Sequence, residues 1–371
     1  KRFPNGTQST PEPAKTVLNT PLHSASGVRT LLALASLIVV IAGLKAASTI
    51  IVPLLVAMFL AMLATPPMLW LRDRHLPTGA ALTLIVILLV GIVVIVGSLI
   101  GSSINELSSA LPVYEQKLRL TLELSVAYLR ERGVDLPTAG VAEWVDPKAA
   151  AQFFGRLLTG FGGILSDSLL IIFMVFFLLL EATVIPAKLR SILPDPEKTF
   201  INFSGFMDAL KSYLVIKTGT SLLTGVLVSV WLTILNVEFA LLWGSIAFFL
   251  NFVPIIGSLI AAIPVVVLAL LDVGLASASL IAAGYLVINV IVGNLLEPRF
   301  MGRGLNLSTL VVFLSLVFWG WVFGPVGMFL SVPLTMLVKI ALEYSPRSRW
   351  LAVLLSADVP QPKDDSTHPN R

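Results

Sequence analysis

Apolar runs of membrane-spanning length recur along this chain, and they leave it few ways to fold. The segment from Gly79 to Ile104 is almost wholly Leu, Ile, Val and Gly. Crossing a bilayer takes about 20 predominantly apolar residues, and the backbone must satisfy its own hydrogen bonds there, which favours helices. Of 371 residues, 56% are hydrophobic and 12% charged, against roughly a quarter charged in soluble chains. The fold class expected is therefore an all-α polytopic membrane protein with about eight membrane segments.

Residues 1–27, rich in Pro, Ser and Thr, read as a disordered cytoplasmic tail. Residues 28–104 hold three spans: Leu31 to Leu44, Ile50 to Leu71 and Gly79 to Ile104. Gly97 and Gly101 stand in GxxxG spacing, a packing face that suits a homo-oligomer. Charges then return, and Leu111, Tyr114, Leu118 and Leu122 follow a helical stripe, so 105–161 reads as a small soluble extracytoplasmic insert made of helices. A fourth span occupies 162–181. In 182–217, Phe200, Phe203, Met207, Leu210 and Leu214 alternate with polar residues as in a cytoplasmic interfacial helix. Residues 218–343 form the C-terminal bundle, and 344–371 a cytoplasmic tail.

Lys and Arg near span ends set orientation. With both termini cytoplasmic, Arg29, Arg72, Arg74, Lys188 to Lys217, Arg299, Arg303, Arg347 and Arg349 all fall inside. Lys45 and the insert fall outside.

Two segments of the bundle are interrupted. The first, 238–271, is broken at Asn251-Phe252-Val253-Pro254-Ile255-Ile256-Gly257; the second, 307–341, at Phe323-Gly324-Pro325-Val326-Gly327. Each half is short for a crossing at about 1.5 Å per residue. Pro lacks a donor and Gly admits left-handed backbone, so each break frees peptide groups that need protein partners or a wet cavity. Paired interrupted segments point to a transporter binding site. Ordinary short hairpins with surface loops are the other reading. A complete span, Ala276 to Val292, lies between them, followed by a polar connector from Gly293 to Gly304. Glu297 within it is either a functional acid or an interfacial carboxylate paired with Arg299 or Arg303. Asn251, Asn289 and Asn294 can donate and accept, suiting solute contact or helix pairing.

Other chemistries lose ground. With no Cys there is no thiolate nucleophile or thiolate metal site. His23, His75 and His368 lie in tails or a loop, away from any intramembrane relay. The nearest phosphate-loop candidate, Gly205 to Ser212, carries Leu210 where the second Gly must stand. No HExxH or GxSxG occurs. No enzyme, cofactor, metal or nucleic-acid role is expected.

Taken in order, Lys188-Leu189-Arg190-Ser191-Ile192-Leu193-Pro194, Asn251 to Gly257, Leu296-Glu297-Pro298-Arg299-Phe300-Met301-Gly302 and Phe323 to Gly327 with Val332-Pro333 resemble the autoinducer-2 exporter family of PerM-like permeases. The resemblance covers about Thr30 to Glu343. It implies a bacterial inner-membrane secondary transporter exporting a small polar solute such as autoinducer-2, with sodium or lithium/proton exchange as an alternative. Its site residues would be Asn251, Pro254 and Gly257, then Glu297, Pro298, Arg299 and Gly302, then Gly324, Pro325 and Gly327. Pro and Gly would shape unwound backbone; Glu297 and Arg299 would couple an ion or proton, or form a gate, with Glu181 and Lys339 as reserve titratable groups. The partners expected are membrane lipid, the solute and a coupling cation or proton. A non-transporting scaffold or regulator is the competing reading of another class.

Overall fold

The computed structural model describes residues 23–131, 167–182, 184–192, 196–254, 257–301, 307–343 and 348–357. Residues 1–22, the second half of the expected insert, Gly302, Arg303 and 358–371 lie outside them. Among the described residues every regular element is helical. Five helices are long and apolar enough to cross a membrane, and Leu31–Ala46, Ser168–Ala182, Ala240–Leu250 and Gly257–Leu270 are shorter apolar helices. The chain divides into two units, residues 1–47 and 48–371.

The first unit contains α1 (His23–Ala46), whose Leu31, Leu32, Ile38 and Val39 are all exposed. Outward-facing apolar side chains suit lipid and would be a liability in water.

In the second unit, α2 (Ser48–Asp73) keeps helical form through Pro53, Pro66 and Pro67, and ends where His75 turns to a φ of 66°. The next helix, α3 (Thr78–Glu131), runs unbroken for 54 residues. The start of the expected insert is thus no separate element. Helix propagation needs one local bond per residue and does not register the change from apolar to charged side chains. Next come α4 (Ser168–Ala182) and α5 (Ile185–Ile192). Then α6 (Pro196–Ile234) joins the expected interfacial helix and the fifth span in one 39-residue helix, with no helix boundary at Lys217.

Past α6, α7 (Ala240–Leu250) and α8 (Gly257–Asp272) flank the first break. The expected polar connector is helical as far as Met301: α9 (Leu275–Asn289) passes into a π-helix, Val290–Leu296, and then α10 (Glu297–Met301). Two further helices, α11 (Thr309–Phe329) and α12 (Ser331–Glu343), form the second broken segment, and α13 (Arg349–Leu355) follows.

Among the described residues, two buried clusters hold the second unit. Ala57, Ala61 and Ala64 of α2 pack against Leu82 and Ile85 of α3 and Ile171, Val175 and Leu179 of α4. Trp243, Val228, Leu232, Val265 and Ile281 centre the other, among α6 to α9. Small residues let these helices close up, as they do where lipid offers no hydrophobic drive. A Cβ at Gly225 would lie 2.8 Å from the Gly244 carbonyl oxygen, and the Trp231 ring lies on Gly284. Gly101, in contrast, has nothing within 4 Å of where a Cβ would stand.

Candidate functional site

The first break is a tight reversal whose backbone is mostly satisfied locally. Asn251 N donates to Ala247 O at 2.9 Å, Val253 N to Leu250 O at 2.9 Å, and Gly257 N to Val253 O at 3.3 Å. Pro254 adds a residue with no donor to satisfy. Gly257 starts α8 pressed against the Leu250 carbonyl, in the volume a Cβ would fill. The Asn251 side chain is buried and its Nδ2 donates to Ser221 Oγ on α6 at 3.0 Å.

The second break is centred on Gly324, at φ 67° and ψ −148° inside α11, a backbone region open essentially to glycine. After Pro325, Gly327 turns back onto the Trp319 carbonyl, which a Cβ would overlap. Trp319 Nε1 donates to Thr335 Oγ1 of α12 at 3.0 Å, locking the two halves together. Just beyond, Ser331 Oγ is fully enclosed, with no hydrogen-bond partner among the described residues.

Side chains at or just beyond the two breaks meet. Phe252 of the first lies 4.1 Å from Phe329, which ends α11, measured between ring centroids. Phe59 of α2 stands edge-on to both, at 6.0 and 5.0 Å.

Glu297 completes the site. It directly follows the π-helix, a rare geometry that concentrates at functional positions. Lys217 Nζ donates to both carboxylate oxygens, at 2.8 and 2.9 Å, and the two side chains are only 7% and 17% exposed. Arg299 is exposed and takes no part in this pair; Arg303 lies outside the described residues. The acid is therefore bound to a lysine 80 positions earlier in the chain. Truncating one member of so buried a pair leaves an uncompensated charge.

A single face of α6 ties these parts together. Leu210, Tyr213, Leu214, Lys217, Thr220, Ser221, Thr224 and Val228 form a buried stripe at helical spacing. Lys217 and Ser221 are neighbours on it, one turn apart. Glu297 and Asn251 thus attach to α6 within one turn of each other, and Phe252 carries the link to the second break.

Of the residues singled out from sequence, Asn251, Pro254, Gly257, Glu297, Gly324, Pro325 and Gly327 belong to this assembly. Asn294, Pro298 and Arg299 are exposed. Asn289 is half-buried, its Oδ1 lying over Gly293. Glu181 makes an exposed pair with Lys188 at 2.6 Å, and Lys339 is buried on α12 with Glu343 3.9 Å away. Sequence reasoning missed Lys217, Ser221, Phe59 and Phe329. The signal for Lys217 was available: a lysine in register with a buried apolar stripe rather than on its polar flank.

A profile of the AI-2E family transporters matches residues 34–347, most of the chain. The chain belongs to that family. The AI-2 transport protein TqsA of Escherichia coli (strain K12) is 40% identical over 336 residues, covering 91% of this chain and 98% of TqsA. YhhT of the same strain is 39% identical over 348 residues, covering 93% of this chain and 99% of YhhT. A Haemophilus influenzae relative is 39% identical over 333 residues, covering 88% of this chain and 96% of its own. Membership and the apolar helices together make this AI-2E family chain a multi-pass inner-membrane transport protein. The family is one of permeases rather than enzymes. The comparisons lend no support to sodium or lithium exchange, and a family of transporters speaks against a non-transporting scaffold.

Proposed function

We propose that this protein is a secondary transporter that exports a small polar solute, autoinducer-2 foremost, by alternating access around its two broken segments. The observation that carries this reading is the meeting of the two breaks at Phe252 and Phe329, one residue from an asparagine anchored beside the Lys217–Glu297 pair. Helix ends at such breaks can face a solute, and a buried ion pair that breaks and reforms gives two discrete states. Asn251, Ser221 and Ser331 supply neutral hydrogen-bonding groups suited to a polar, hydroxylated cargo. The likeness to TqsA, whose name gives AI-2 as what it transports, supports the choice of solute. About eight membrane segments with both termini cytoplasmic, two of them entering and leaving on one side, complete the proposed topology. A homo-oligomer is proposed with it, the open face of Gly101 being free for a second copy.

The test is uptake of autoinducer-2 into inside-out vesicles or proteoliposomes, with and without an imposed pH gradient. Wild-type protein is expected to accumulate the solute, and folded Glu297→Gln to lose the accumulation. Unchanged flux and pH dependence in Glu297→Gln would remove the acid from the mechanism. No flux in folded wild-type protein would remove autoinducer-2 as the cargo.

A further inference from the structure

We propose that Lys217 Nζ is a built-in replacement for a coupling metal cation: it neutralises Glu297 from within the chain, so that no sodium or lithium ion binds there. The geometry is specific. One ammonium engages both oxygens of one carboxylate, at 2.8 and 2.9 Å. A monovalent metal ion bridging those same two oxygens would need the space Nζ fills.

Charge gives the same answer. The pair is neutral, and both side chains are largely out of solvent. Adding a metal ion would leave a net positive charge in that environment, which is costly. Removing the ammonium would leave a bare carboxylate, which must then find a cation or a proton. Among the described residues of α6, α9, the π-helix and α10, Lys217 is the one buried cation. Lys211 lies at 34% exposure, 4.0 Å from Asp208, and Arg299 is exposed. Tyr213, one turn before Lys217, is the titratable group beside Glu297, and Tyr285 on α9 is buried. Neither is a cation at neutral pH.

The helix carrying the lysine adds a mechanical argument. Lys217 belongs to α6, whereas Glu297 belongs to the run that continues from the π-helix. A diffusible ion would report its bulk concentration to this contact. A tethered ammonium makes the contact depend only on the relative position of the two helices, so its closure is independent of the sodium gradient. The inference rests on Glu297 belonging to the transport machinery, but its main readout is binding rather than flux.

Thermal unfolding of the purified full chain is measured in sodium, lithium, potassium and N-methylglucamine chloride at matched ionic strength. A ligand that binds only the folded state raises the midpoint in a saturable, concentration-dependent way. Wild type is expected to unfold at the same temperature in all four salts. Lys217→Ala is expected to have a lowered midpoint in N-methylglucamine that sodium or lithium raises saturably. Adding Glu297→Gln to it should abolish that response. A saturable sodium or lithium effect on wild type would overturn the proposal, because a metal ion would then bind beside the ammonium. So would a Lys217→Ala protein indifferent to the cation. Should Lys217→Ala fail to fold, Lys217→Gln repeats the comparison, and the wild-type salt series stands by itself. Autoinducer-2 flux with sodium replaced by N-methylglucamine separates the two readings: sodium-dependent flux sinks this inference alone, while absent flux in both salts sinks the choice of solute alone.

Discussion

At Gly257 and Gly327 a single hydrogen stands where a methyl group would meet a carbonyl, of Leu250 and Trp319 respectively. Backbone cannot yield as a flexible side chain can, so Gly257→Ala and Gly327→Ala are each expected to cost about 1–3 kcal/mol, the range for overpacking a close-packed interior. Gly324 differs: its Cβ would stand in open space, but its φ of 67° is strained for any other residue. Gly324→Ala is therefore expected to cost about 1–3 kcal/mol through backbone strain alone. Gly91→Ala, in the interior of α3 with room around it, should stabilise by about 0.5–1 kcal/mol. Unfolding midpoints of the four variants in one detergent give the order, and a harmless Gly257→Ala would mean that the reversal is looser than drawn. These glycines were legible in sequence because Pro and Gly announce unusual backbone by their own chemistry. The partners of polar side chains were not. Glu297 has Arg299 two positions on, yet it binds Lys217, 80 positions back; Asn251 and Ser221 are 30 positions apart. Nothing local in the sequence encodes such pairings, which depend on which helix faces are brought together.

The elements show a matching contrast. Helical segments were readable from apolar length, but the boundaries expected after Ile104 and at Lys217 do not occur in α3 and α6. Charge marks a change of solvent, whereas the helix ends only where its hydrogen-bond ladder does. The Lys217 charge that suggests an interface is instead absorbed by Glu297, and the helix continues past it. Pro and Gly point to the helix end at Leu250 and to the kink at Gly324, yet the contact between Phe252 and Phe329 was not foreseeable. Phe252 and Phe329 are in ring contact, so a double-mutant cycle with Phe252→Ala and Phe329→Ala should return an interaction of about 0.5–1.5 kcal/mol. Additive effects would show that the two broken segments are energetically independent despite a centroid distance of 4.1 Å.

For the whole molecule, the length of unbroken helix bears on the proposed topology; α11 has 21 residues but is interrupted at Gly324. The 11 residues of α7 span about 16 Å and the 16 of α8 about 24 Å, at 1.5 Å per residue. Each falls short of a hydrocarbon core about 30 Å thick. In the proposed topology such a segment reaches its break inside the protein and returns, and the contact between Phe252 and Phe329 fits a second segment that enters from the opposite face. With the arginines inside as the positive-inside rule expects, Glu238 and Val273, at the two ends of the first segment, lie on the extracytoplasmic side of that topology. Ser308 and Glu343, at the ends of the second, lie on its cytoplasmic side. The chain has no native Cys, so single substitutions Glu238→Cys, Val273→Cys, Ser308→Cys and Glu343→Cys can be labelled with a membrane-impermeant maleimide without background. The first two are expected to react only in right-side-out vesicles and the last two only in inside-out ones. If Glu238→Cys and Val273→Cys reacted from opposite sides, the first segment would be a full crossing, the second would have to be redrawn with it, and alternating access around two opposed hairpins would lose its structural basis.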